Sequence, residues 1–324
     1  MRLPLLIDSD LALDDWMALV FLLQSPEVDV RAITVAATGE AHAGPGVKNT
    51  LRLMALTGVE GIPVASGRTT PLAGTHRFPL ALRLAMDFRL GLGLPRPRTR
   101  PSGGSAVALL RRTLLEAPAP CTLLALGPLT NLAQLFEGAP ELVPRVSHLW
   151  VMGGALDVPG NIQEINPRID NLSAEWNLYI DPTAAERVLQ SGVPVTLVPL
   201  DATSQVPLTD AFLAQLDAEG TSPASRFVSR VIHRIRPLLS RERNLCFWDP
   251  LAAVLTVRPE LGRYEERRVR VVTGEGRESG RLVSAPDGQR VRVCTGVDVP
   301  AFERCFLEGL ERRSSPPEAL RAPG

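Results

Sequence analysis

The sequence predicts an α/β fold: an open, mostly parallel, Rossmann-like sheet flanked by helices, with a small antiparallel extension near the C-terminus. Three observations carry this. Apolar runs of strand length alternate with segments whose apolar residues recur at helical spacing over most of residues 3–199. Acidic and glycine-rich turns stand at the carboxyl ends of those runs, the edge where open α/β sheets bind ligands. Short turn-bounded segments at residues 268–273, 280–284 and 290–294, with Asp287-Gly288 as a hairpin signal, supply the antiparallel part.

The first βα unit holds most of the chemistry. Residues 3–7 form a continuous apolar run that reads as a buried strand, and Trp16, Leu19, Val20 and Leu23 keep helical spacing. Between them Asp8, Asp10, Asp14 and Asp15 fall on what the pattern makes a turn. One acid can cap a helix start and complement its dipole. Four together repel one another, and a bound cation is the simplest partner for them.

Residues 28–37 then read as a strand, 47–57 as a helix and 62–65 as a short strand. From residue 67 to 104 Pro71, Pro79, Pro95, Pro97 and Pro101 break the pattern, and only 80–90 looks helical. Such a long excursion over a sheet edge is expected to be functional. Alternation resumes with helix 105–116, strand 121–126, helix 129–136 and strand 146–152. A second long loop, 153–177, precedes helix 182–190 and strand 194–199; Asp201, just beyond, is given a structural role. Residues 209–218, 222–239, 248–257 and 300–312 read as helices. No repeat or linker divides the chain, so residues 1–312 are expected to form one catalytic domain and 313–324, with three prolines, a flexible tail.

Composition narrows the function. At 45% hydrophobic residues the chain can bury an enzyme-sized core. Zero formal net charge and scattered basic residues leave no footprint for nucleic acid or an anionic membrane. Lys48 is the only lysine, which excludes Schiff-base chemistry unless it is buried at the site. Cys121, Cys246, Cys294 and Cys305 lack metal-ligand spacing and lie in apolar segments, as buried thiols of a reducing cytoplasm would. With no signal-peptide pattern and no span-length apolar run, a cytoplasmic location is expected.

The polar residues that the alternation brings to one sheet edge are the four early acids, Gly127 to Asn131, Gly153-Gly154 and Trp248-Asp249-Pro250. Oxygen ligands without His or Cys favour a hard cation, calcium or magnesium. On these residues the chain resembles the inosine-uridine preferring nucleoside hydrolase family. The family's opening acids, Asp-x-Asp followed by x-x-x-Asp-Asp, are reproduced by residues 8–15. Matches continue in the family's order with residues 124–131, Met152-Gly153-Gly154, Gly160-Asn161, Ala174-Glu175-Trp176-Asn177, Asp181-Pro182 and residues 248–252.

The resemblance implies calcium-dependent hydrolysis of the N-glycosidic bond of ribonucleosides to free base and ribose, by a homodimer or homotetramer. Carried over residue by residue, it makes Asp10, Asp15, Asp249 and the carbonyl oxygen of Leu126 the calcium ligands. Asp10 would be the base for a calcium-held water that attacks C1′ of the ribose. Asp14, Asn161, Glu175 and Asn177 would grip the sugar hydroxyls and the 5′ end, with Asp249 also at the substrate. The chemistry is coherent, because coordination lowers the pKa of water and nearby carboxylates stabilise an oxocarbenium-like sugar. Structural alternatives are that Asn161 is a loop former, Glu175 a surface acid, Asp249 a helix N-cap and Trp248 a core aromatic.

Departures from the family bear on substrate choice. Many members have His immediately before the late Asp, placed to protonate the leaving base; here Trp248 stands there. That resembles the purine-preferring branch, in which an indole stacks on the base and eases its protonation, a contact worth about 1–3 kcal/mol. The branch's second Trp is missing: Leu82 takes its place, with Phe78 or Phe88 of the same loop as substitutes. Thr38-Gly39-Glu40 replaces the usual Gly-Asn after the second strand, so Glu40 is expected to hold a ribose hydroxyl. His42 and His76 are loop residues able to supply a proton. A catalytically impaired nucleoside- or ribose-binding regulatory protein is the alternative function. A haloacid-dehalogenase-type phosphatase is disfavoured by Leu11-Ala12 and the solitary Lys48.

Overall fold

The computed structural model describes residues 2–238 and 245–312. Its elements, in order, are β1 (Leu3–Ser9), α1 (Leu13–Gln24), β2 (Val28–Val35), α2 (Ala43–Thr57), β3 (Val64–Ser66), α3 (Leu80–Asp87), α4 (Ala106–Glu116), β4 (Cys121–Ala125), α5 (Thr130–Gly138), β5 (Val146–Met152), α6 (Ile162–Ile165), α7 (Trp176–Ile180), α8 (Pro182–Leu189), β6 (Val195–Val198), α9 (Leu200–Thr203), α10 (Asp210–Glu219), α11 (Pro223–Ile235), α12 (Trp248–Val257), β7 (Gly262–Val271), β8 (Leu282–Ser284), β9 (Gln289–Val297) and α13 (Val299–Glu311). The strands form one sheet in the order β3-β2-β1-β4-β5-β6-β9-β7-β8.

β1 can lie inside the sheet because its run is apolar on both faces. Leu5 and Ile7 join the core formed with α1, α2, α11, α12 and α13, whereas Leu6 joins the core formed with α4, α5 and α8. From β1 the chain runs outward through β2 and β3, then returns to place β4, β5 and β6 on the other side. The order therefore reverses between β1 and β4, and a crevice opens beyond their carboxyl ends. Asp10 follows the first of these strands and Leu126 the second. α1, which begins at that crevice, is buried from Asp14 to Gln24 and packs on α12, so the two helix starts bearing acids are held rigidly together.

The α/β class, the mostly parallel sheet and the C-terminal antiparallel extension are as expected, with local differences. β9 continues the parallel part beside β6, and only β7 and β8 run antiparallel to their neighbours. β7 sits between β8 and β9, so Asp287-Gly288 makes a turn but not a two-strand hairpin. Helix 80–90 stops at Asp87 and gives way to a 3₁₀ turn, where Arg89 and Leu90 have φ of 55° and 51°. The loop 153–177 contains α6 and leads into α7. Helix 222–239 ends as a 3₁₀ turn at Arg236–Leu238; residue 239 and the tail 313–324 lie outside the described residues. All four cysteines are free thiols, three of them buried. Among the described residues no helix is long and apolar enough to cross a membrane.

Candidate active site

The four early acids do not share one turn. Asp8 is on β1, Asp10 is in the turn, and Asp14 and Asp15 belong to the first turn of α1. Asp8 points beneath the site: its Oδ1 accepts from Thr34 Oγ1 at 2.6 Å and Asn131 Nδ2 at 2.8 Å, and its Oδ2 is buried without a partner. Burial outweighs those two hydrogen bonds and pushes its carboxyl up to about 7.

Asp10 is held by backbone. Its Oδ2 accepts from Glu40 N at 3.0 Å, and its side chain passes between two glycines. A Cβ on Gly39 would overlap Asp10 Oδ2, and one on Gly127 would come within 2.8 Å of Asp10 Cβ. The next residue, Leu11, is fully buried with φ of 60°. A left-handed conformation costs a non-glycine residue about 1–2 kcal/mol, so the surroundings must impose it. They do so through Ala41 N, which donates to Asp10 O at 2.9 Å, and through three bonds that involve side chains. Leu11 N donates to Ser9 Oγ at 3.2 Å, Ala12 N donates to Asp15 Oδ2 at 2.9 Å, and Trp16 Nε1 donates to Leu11 O at 2.9 Å. Ser9 Oγ in turn donates to Asp15 Oδ1.

Asp249 enters from the first turn of α12, which is capped at Phe247 without a side chain, so Asp249 is not an N-cap. Carboxylate oxygens of Asp14, Asp15 and Asp249 lie within 4.8 Å of one another. Asp10 joins this group through hydrogen-bonding contact with Asp15, which also contacts Asp249. Burial first, and mutual repulsion next, hold Asp10 and Asp249 well above the carboxylate range. Asp15 is raised to about 7 by burial and the Asp14 charge; burial raises Asp14 to about 6 against its backbone hydrogen bonds. Among the described residues none of these four makes a salt bridge. Clustered, buried carboxylates without an ion-pair partner fit a divalent cation, and the all-oxygen donor set fits a hard one. Leu126 O faces the same space, accepting from Asn177 Nδ2 at 3.5 Å.

A cavity of about 240 Å³ lies against the acids. Every residue assigned to metal or substrate by resemblance lines it: Asp10, Asp14, Asp15, Glu40, Leu126, Asn161, Glu175, Asn177, Trp248 and Asp249. Several also hold structure. Asn161 precedes α6 and accepts from Trp176 N at 3.2 Å. Glu175 is a buried N-cap of α7, not a surface acid; its carboxylate accepts from Asn177 N, Leu178 N and Gly154 N. Glu40 has one carboxyl oxygen buried without a partner, and burial with the Asp10 charge raises its pKa well above normal.

Trp248 is half-buried at the wall, and Phe78 and Leu82 line the same cavity. Phe78 is itself stacked on Trp176 at 4.7 Å, a contact no periodicity announces although Trp176 sits inside the Glu-Trp-Asn motif. Met152, Ile165 and Leu245 are further wall residues that sequence reasoning missed. Phe88 is 67% exposed and does not line the cavity. Neither do the two loop histidines: His42 binds Asp87, and His76 stacks on Tyr179 and reaches Glu275. Lys48 is exposed on α2. Asp201 is structural, its carboxylate accepting from Leu156 N and Asp157 N at the start of the 153–177 loop.

The profile of the inosine-uridine preferring nucleoside hydrolase family matches residues 5–304. The pyrimidine-specific ribonucleoside hydrolase RihA of Salmonella schwarzengrund is 35% identical over 278 residues, which cover 84% of this chain and 85% of that protein. Among solved structures, the inosine-uridine preferring nucleoside hydrolase from Bacillus anthracis superposes with a TM-score of 0.84 at 26% identity, covering 96% of this chain and all of that one. The purine-preferring ribonucleoside hydrolase from Gardnerella vaginalis gives a TM-score of 0.77 at 26% identity, covering 95% and 98%.

Proposed function

The chain belongs to the inosine-uridine preferring nucleoside hydrolase family and is an enzyme, a nucleoside hydrolase; on that premise we propose that it cleaves purine ribonucleosides faster than pyrimidine ones, using calcium. The observation that carries this is the meeting of four buried carboxylates with an aromatic wall in one cavity. Calcium, bound by Asp10, Asp15, Asp249 and the Leu126 carbonyl, would supply a coordinated water of lowered pKa. Asp10 takes the proton of the attacking water, and the flanking glycines fix the carboxylate that receives it. Asp14, Glu40, Asn161, Glu175, Asn177 and Asp249 hold the ribose, and the carboxylates among them, where ionised, favour positive charge on the sugar. Glu175 accepts three backbone N–H groups and keeps a lone pair for a hydroxyl. Trp248 stacks on the leaving base, opposite Phe78 and Leu82.

The RihA relatives weigh toward pyrimidines and the aromatic wall toward purines, so discrimination is partial rather than strict. A homo-oligomer in a reducing cytoplasm accompanies this reading, in keeping with the free thiols. A panel of inosine, adenosine, uridine and cytidine, assayed for free ribose with and without chelator, tests it. Ribose release should be lost with chelator and restored by calcium, with inosine ahead of uridine. No release from any nucleoside by calcium-replete protein would sink the activity; uridine ahead of inosine would sink the purine preference.

Calcium should also raise the melting temperature, increasingly so with pH. Asp14 and Asp15 have folded-state pKa values of about 6 and about 7, against about 3.9 unfolded. The metal-free native state therefore holds more protons than the unfolded chain across that window, and its stability falls as pH rises through it. A cation reverses this by favouring the ionised carboxylates of the native state alone. The calcium-induced gain is expected to be small near about pH 5 and to grow through about pH 7, with Asp10 and Asp249, also raised, adding to it in the same direction. Absence of any gain at the higher pH would remove the metal assignment.

A further inference from the structure

We propose that Trp16 is a positioning residue of this site: its indole N–H holds the left-handed turn at Leu11 that aims Asp10 and Asp15 into the cavity. The inference rests on the reading of the acids given above. Leu11 lies directly after Asp10, is fully buried, and keeps a φ of 60° that a leucine does not adopt unaided. Beside the backbone bond from Ala41 N to Asp10 O at 2.9 Å, three restraints on the turn involve a side chain, and two of these run through Asp15, whose oxygens accept from Ser9 Oγ and Ala12 N. Those oxygens are the same ones a cation would claim. The third restraint, Trp16 Nε1 to Leu11 O at 2.9 Å, draws on no carboxylate. It can keep the turn closed whether or not Asp15 is engaged elsewhere.

The ring that carries this donor is itself enclosed by packing. Trp16 is 1% exposed, on a helix buried along its length, and it packs against Phe227 of α11 at 6.4 Å. Packing and hydrogen bonding can thus be separated by mutation. Trp16→Phe retains an aromatic ring and deletes the N–H; Phe227→Leu disturbs the packing and leaves the N–H in place. Leu11→Gly in the Trp16→Phe background makes the left-handed conformation free of strain.

The measurements are kcat and KM for inosine, the calcium concentration giving half of the melting-temperature gain, and the melting curve, taken where each variant is folded. Trp16→Phe is expected to lower kcat about tenfold with KM changed much less, as loosened catalytic groups do, and to raise the calcium midpoint. Phe227→Leu should lower the melting temperature and leave kcat and the calcium midpoint near wild type. Adding Leu11→Gly should recover part of the kcat lost in Trp16→Phe. Wild-type kcat and calcium midpoint in Trp16→Phe would overturn the proposal, as would a kcat loss in Phe227→Leu equal to that in Trp16→Phe. The comparison of these two single variants decides by itself. Should wild-type protein release no ribose, the activity reading fails, and the calcium midpoint still reports whether Trp16 holds the turn.

Discussion

Asp10→Asn is expected to reduce ribose release at least about 100-fold, the usual consequence of removing a general base, while the protein stays folded. The amide has nearly the shape of the carboxylate, so it still fits between Gly39 and Gly127 and can still accept from Glu40 N. It cannot take a proton from water at neutral pH. The effect on stability should have the opposite sign to the effect on activity. In metal-free protein the ionised Asp10 carboxylate is disfavoured by burial and by the Asp15 charge, and a neutral amide relieves that repulsion. Melting without calcium should be unchanged or higher, and the gain on adding calcium should shrink because one anionic ligand is lost. Activity above about a tenth of wild type would remove Asp10 as the base. A collapsed melting temperature would instead mark its carboxylate as structural.

The sheet and the gathering of acids at its carboxyl edge are legible for the same reason: both are written in local pattern. A strand apolar on both faces must be internal, and the acids beyond it must lie at its carboxyl end. Leu126, proposed as a ligand through its carbonyl, lines the cavity with the acids, and it can be placed there because the residues around it match the family. What could not be read depends on contacts between distant segments or on backbone angles. Phe78 reaches the cavity by stacking on Trp176, nearly a hundred residues later in the chain, and no period in either segment encodes that meeting. The left-handed Leu11 was invisible because leucine carries no signal for positive φ. The sequence leaves Glu175 open between a surface acid and a sugar-holding group, because nothing local shows that it caps α7 and lines the cavity at once; capping leaves lone pairs of the same carboxylate free. At Asp249 the following proline suggests a helix cap, but Phe247 takes that position without a side-chain bond.

Trp248→Ala should slow purine nucleosides by roughly 5- to 150-fold, the rate equivalent of losing one base–aromatic stack, and slow 4-nitrophenyl riboside far less. The asymmetry follows from the leaving groups. A purine leaves well only when its charge is drawn off by protonation, which stacking against an indole favours, whereas nitrophenolate needs no such help. Among the described residues no histidine lines the cavity, so on the proposed reading the stacked indole eases a protonation for which no imidazole is at hand. Trp248 opens α12 directly before Asp249, and its loss therefore also tests the acid cluster. A variant that loses equally on both substrates, with a weakened response to calcium, would mark Trp248 as packing that seats Asp249. The size of the purine effect depends on the opposite wall. Phe78 is held by Trp176 and is not free to stack on both of its faces, and Leu82 beside it is aliphatic. On the proposed reading a base would thus meet one free indole and a mixed surface, which a pyrimidine can also fill. Uridine should accordingly lose less than inosine in Trp248→Ala, and the two rates should converge.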